Sequence, residues 1–79
     1  MTKAKPEDFL KAIAGLEEVI DRTSMGLYEL DQTSSHLTQY PNEYDFFYDD
    51  YQDIKALIRV TIKECLKLRN KVTERRIQL

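Results

Sequence analysis

Cys65 and His36 are the single cysteine and the single histidine of this chain. A thiol beside an imidazole is the pairing that would make a nucleophile, and it requires hydrogen-bond reach. The helical periodicity described below puts His36 near a turn and Cys65 about 20 residues further along a helix, roughly 30 Å away. Cys65 also falls on an apolar seam, where a thiol acts as a small hydrophobe. A metal site would have to combine His36 with Glu43 or Asp45 across the turn, and one imidazole with two flexible carboxylates is a poor ligand set. No glycine-rich phosphate loop is present. The chain therefore reads as non-enzymatic, with no catalytic, cofactor-binding or metal-ligating residue assigned.

The chemistry that the residues do offer is recognition. Residues 43–53 read Glu-Tyr-Asp-Phe-Phe-Tyr-Asp-Asp-Tyr-Gln-Asp, an aromatic and acidic stretch with no basic residue, no Gly and no Pro. Tyr44, Phe47 and Tyr51 are spaced to face a partner helix. Phe46 and Tyr48 fall off that spacing, among Asp45, Asp49 and Asp50, and Asp45, Asp49 and Asp53 line one helix face at steps of four. Exposed rings beside carboxylates suit a docking surface, because aromatics anchor and charges steer. Glu43, Asp45, Phe46, Tyr48, Asp49, Asp50 and Asp53 are the candidate partner-binding residues, and the partner they fit is a protein with a basic surface. Carboxylates spaced along a helix can also imitate a phosphate backbone and so block a groove built for nucleic acid.

A second candidate surface has the opposite sign. Lys63, Lys67, Lys71 and Arg75 recur at steps of four, with Arg76 beside them. They could contact nucleic acid, or they could complement the negative end of a helix dipole. Few aromatics accompany them, so stacking on single strands is not expected.

These two surfaces sit in a chain whose net charge of −2 hides strong segregation. Residues 1–22 carry net −1, residues 23–54 carry net −7 with no Lys or Arg, and residues 55–79 carry net +6. Seventy-nine residues bound a single domain. One third of them are charged and 42% are hydrophobic, as in a folded chain rather than a disordered one. No apolar h-region follows Met1, no run approaches a membrane span, and the lone cysteine excludes an internal disulfide. A cytoplasmic location without membrane contact is expected.

Two glycines and two prolines are too few breakers for a β fold. Phe9, Ile13, Leu16, Ile20, Thr23, Leu27, Leu30, Ser34 and Leu37 follow alternating steps of four and three, the mark of a helix packed lengthwise on another. Pro6 opens this helix and Tyr40-Pro41-Asn42 closes it. Asn42, with Asp45 three residues on, caps a second helix. Its seam is Tyr44, Phe47, Tyr51, Ile54, Ile58, Thr61, Cys65, Leu68, Val72, Arg75 and Leu79.

The expected fold is all-α: an antiparallel two-helix hairpin with helices about 6–40 and 43–76 and frayed ends at 1–5 and 77–79. Facing residues have numbers summing to about 81, so that Ser34 meets Phe47 and Thr23 meets Ile58. Gly26, which costs about 1 kcal/mol against Ala inside a helix, is the position for a kink. Leu57, Ile62 and Leu66 widen the apolar stripe beyond one partner, and a hairpin this small needs more core. Pairing of two copies into a homodimeric four-helix bundle, or completion of the hairpin on another protein, is expected.

The leading functional reading is a small interaction protein of inhibitor or immunity type that docks through its acidic end. The alternatives are a nucleic-acid-binding regulator using the basic tail and a structural or secretion-chaperone subunit.

Overall fold

The computed structural model describes residues 4–78 and consists of two helices, α1 (Pro6–Ser35, 30 residues) and α2 (Pro41–Gln78, 38 residues), folded back on each other as an antiparallel hairpin. The molecule measures 59 × 19 × 15 Å. Its long axis is the length of α2, since 38 residues at 1.5 Å each span about 57 Å. Of the expected frayed ends, residues 1–3 and 79 lie outside the described residues, Ala4 and Lys5 precede α1, and Ile77 and Gln78 belong to α2.

α1 begins as its sequence requires. Pro6 takes the first position, where no backbone N–H is needed. The Lys5 N–H donates to Asp8 Oδ2 at 3.1 Å, tying the first turn to the chain before it. The helix then runs unbroken through Gly26, with no residue at positive φ among the described residues. Every position of the first seam is shielded: Ser34 is buried and the other eight, from Phe9 to Leu37, are half-buried. No apolar side chain of the described residues is fully buried, and the one buried residue is Ser34, at 8% exposure.

α1 ends at Ser35, five residues before the expected residue 40. Hydroxyls cluster there. Ser34 Oγ donates to the Asp31 carbonyl at 2.9 Å, Ser35 Oγ to that of Gln32, Thr33 Oγ1 to that of Glu29 at 3.0 Å, and Thr38 Oγ1 to that of Ser35 at 2.8 Å. Side chains that offer the backbone alternative partners weaken the helical ladder. It tightens to i→i+3 bonds, with Leu37 N–H on the Ser34 carbonyl at 3.0 Å and Tyr40 N–H on the Leu37 carbonyl at 2.9 Å.

α2 starts two residues earlier than expected and extends two further. Pro41 opens the helix at its first position rather than separating the two helices. The Tyr40 carbonyl accepts the first helical bond, from Tyr44 N–H at 2.9 Å, so Tyr40 is the cap residue and Asn42 lies within the helix. Arg75 and Arg76 occupy the last turn, where cations suit the helix dipole.

The face of α2 that meets α1 differs from the expected seam. Tyr44, Tyr51, Ile58, Cys65 and Val72 are half-buried as expected. The positions between them are Lys55, Ile62 and Arg69, one residue later than Ile54, Thr61 and Leu68. Ile54, Thr61, Leu68 and Arg75 are exposed, as is Phe47 by a narrow margin; Leu79 lies outside the described residues.

The reason is electrostatic and steric together. Turning α2 by this amount brings Lys55 to Asp31 and Arg69 to Glu17, the latter at 3.9 Å, while the aliphatic stems of Lys55 and Arg69 cover the seam. The two pairs are 14 residues apart on both helices, so the helices advance together through the interface. Each pair sums to 86, against the expected sum of about 81 for facing residues, and Lys and Arg side chains lean toward their own N-terminus, here toward the hairpin turn.

Candidate functional site

The first half of α2 carries the aromatic and acidic stretch, and its helical geometry sorts those residues into faces. Tyr44 and Tyr51 point into the hairpin. Asp45, Asp49 and Asp53 form an exposed ridge on the side away from α1. Phe46 flanks one side of that ridge at 75% exposure, its ring edge-on to Phe47 at 4.9 Å between centroids. Tyr48 flanks the other side, edge-on to Tyr44 at 5.7 Å. The seven candidate residues thus share one end of the rod, with Phe46 and Tyr48 on opposite shoulders and Glu43 and Asp50 on the Phe47 side. All seven are exposed.

Electrostatically this end is unneutralised. Among the described residues, none of these five carboxylates takes part in an ion pair, and Lys55, the nearest cation in sequence, is engaged by Asp31.

The same end holds a cleft that the sequence spacing did not show. Leu37, Phe47, Asp50, Tyr51 and Ile54 line an open apolar depression of about 340 Å³ with one carboxylate among them. It exists because α1 stops at Ser35, letting Leu37 of the turn sit beside α2, and because Phe47 and Ile54 are rotated out of the seam. Leu37, Phe47, Tyr51 and Ile54 all belong to the expected seams, and only Asp50 of this lining belongs to the candidate partner-binding set. A long cationic side chain from a partner fits such a lining, with its stem on the rings and its charge at Asp50.

The basic candidates are at the other end of the same helix. Lys63, Lys67, Lys71 and Arg75 are exposed along the outward face, and Arg76 is exposed in the last turn. Lys67 is shared with Glu64 at 3.4 Å. Asp49 and Lys67 are 18 residues apart, five full turns, and so point the same way. One outward face of α2 is therefore acidic over its first half and basic over its second.

Cys65 is half-buried in the seam and His36 sits in the turn, separated by roughly 30 Å or more of rod. Among the described residues no group of three His, Cys, Asp or Glu side chains is placed to hold a metal ion. No helix among them is long and apolar enough to cross a membrane. Comparison of the chain with protein-family models, curated protein sequences and solved structures finds no match.

Proposed function

We propose that this chain is a small non-catalytic docking protein whose acidic, aromatic end seats in a basic groove of a partner protein. The observation that carries the reading is the ridge of Asp45, Asp49 and Asp53, free of ion pairs among the described residues and shouldered by the exposed ring of Phe46. Clustered carboxylates attract and orient a cationic partner, while an exposed ring loses water on docking.

In its sharper form the protein is an inhibitor or immunity-type protein that takes the place of a phosphate backbone. Five carboxylates between residues 43 and 53 lie along about 15 Å of helix, one per roughly 4 Å, close to the roughly 3.4 Å per charge of a single DNA strand. A reducing, cytoplasmic setting suits the free Cys65. The docking unit is a homodimer in this reading, because the hairpin alone fully buries no apolar side chain among the described residues.

The test is affinity capture from the native host with three baits run side by side. Capture of a basic protein by the wild type, its loss with Asp49→Lys/Asp53→Lys and with Phe46→Ala, and its retention with Lys67→Glu/Lys71→Glu is the expected pattern. Retention with the acidic-end variants removes this end from the mechanism.

The exposure of Lys63, Lys67, Lys71 and Arg75 supports one other reading, nucleic-acid binding through the tail. It requires a salt-sensitive gel shift that Lys67→Glu/Lys71→Glu abolishes.

A further inference from the structure

Rotation of α2 leaves a complete heptad row outside the hairpin: Phe47, Ile54, Thr61, Leu68 and Arg75. The two ion pairs, Asp31–Lys55 and Glu17–Arg69, mark one edge of the hairpin. On a helical wheel this row lies on the other side of Ile58 from Lys55 and Arg69, so it forms the opposite edge. It is apolar through most of its length and open to solvent, with Ile54 at 45% and Leu68 at 49% exposure, and Leu57 beside them at 68%. Thr61 adds no unmet polar group, because its hydroxyl already donates to the Leu57 carbonyl at 2.9 Å. On α1 the same edge carries Ala12, Val19 and Gly26, and a Cβ built on Gly26 would meet nothing within 4 Å.

We infer that this edge is the contact between two copies of the chain, packed antiparallel along their full length as a four-helix bundle with its two-fold axis at Thr61. Three observations select this occupant and this direction.

The first is area. The accessible surface is 6505 Å², against roughly 5,000 Å² for a compact monomer of 9.4 kDa. The excess of roughly 1,500 Å² is larger than the approximately 800 Å² per partner that a standard interface removes.

The second is charge. A parallel pair would set two segments of net −7 side by side, within the screening length of about 8–10 Å. The antiparallel pair lays each acidic end along the other copy's basic tail.

The third is the row itself, which is symmetric about Thr61. Turned end for end, Ile54 of one copy faces Leu68 of the other, Phe47 faces Arg75, and Asp50 comes beside Lys71. Apolar meets apolar, ring meets guanidinium and acid meets base without any change of register. The ridge of Asp45, Asp49 and Asp53 stays outside, so the dimer displays one acidic face at each end of the rod.

This arrangement does not rest on the docking reading: its apolar row lies on a different face from that ridge, and of the candidate docking residues it uses Asp50 alone. It is tested on the full chain with Cys65→Ala to remove the native thiol. Ile54→Cys and Leu68→Cys are prepared separately on that background, then each is oxidised alone and in an equimolar mixture. The antiparallel bundle gives a disulfide dimer predominantly in the mixture, because like positions are separated by 14 residues, roughly 21 Å. Efficient self-linking of Ile54→Cys alone overturns the direction. A monomeric mass for the unmodified protein by sedimentation equilibrium at tens of micromolar and low salt overturns the interface altogether.

Discussion

The two helices answer their sequences differently. In α1 the spacing of four and three residues names a single row, and every member of that row from Phe9 to Leu37 is shielded in the hairpin. In α2 the same spacing names a row of which only alternate members, Tyr44, Tyr51, Ile58, Cys65 and Val72, face α1. The rest, Phe47, Ile54, Thr61 and Leu68, turn outward while Lys55, Ile62 and Arg69 take their places. α1 also carries Leu10, Val19 and Tyr28 exposed outside its row, yet the row itself is shielded throughout. α2 has two adjacent rows sharing the Ile58 line, so periodicity defines a stripe wider than one partner can cover. The rotation found sets Asp31 beside Lys55 and Glu17 beside Arg69. A helix with two apolar rows is built for two neighbours, and the second row is the one proposed to meet another copy.

The sharpest way to break that distinction is to place the same side chain in each row. Ile58→Asp puts a carboxylate into the hairpin seam, where its desolvation and lost packing cost about 3 kcal/mol or more. Circular dichroism should show loss of most helicity at room temperature. Ile54→Asp with Leu68→Asp should instead keep the helical spectrum at micromolar concentration while halving the mass in solution. If the outer pair unfolds the chain as fully as Ile58→Asp does, the two rows are not distinct in role.

A smaller effect is expected at the contact between Lys55 and Asp31. Lys55→Met keeps the stem over the seam and removes the pair with Asp31, whose own side chain is largely exposed. Chemical denaturation should register about 1 kcal/mol or less. A cost of several kcal/mol would mean that the pair, rather than the apolar seam, holds the helices together.

The all-α class, the hairpin and the α1 seam could be read from residue types because each rests on one periodic signal without a competitor. The turn could not. Thr33, Ser34 and Ser35 are tolerated in a helix by spacing alone, and their hydroxyl bonds to the carbonyls behind them are of a kind that Thr23 and Thr61 also make within continuous helix. Pro41 carries two meanings, a stop for the helix before it and a start for the one after it. With α1 ending at Ser35, the second meaning is the one realised.

At the candidate site, Asp45, Asp49 and Asp53 share a face as their spacing required. The separation of Phe46 from Tyr48, and the cleft between Leu37 and Ile54, depend on how α2 is rotated. The face that α2 turns to α1 includes Lys55, Ile62 and Arg69, residues outside the acidic stretch, and so could not be read from the stretch itself.

Small-angle X-ray scattering of the unmodified protein at moderate ionic strength addresses the two-neighbour account of α2 most directly, because it returns mass and length together. Two hairpins packed lengthwise on the Ile54–Leu68 row should scatter with twice the 9.4 kDa mass of one chain while keeping a longest dimension close to the 59 Å of a single hairpin. A one-chain mass, or a doubled mass with a longest dimension near twice that length from end-to-end contact of tip and tail, would contradict it.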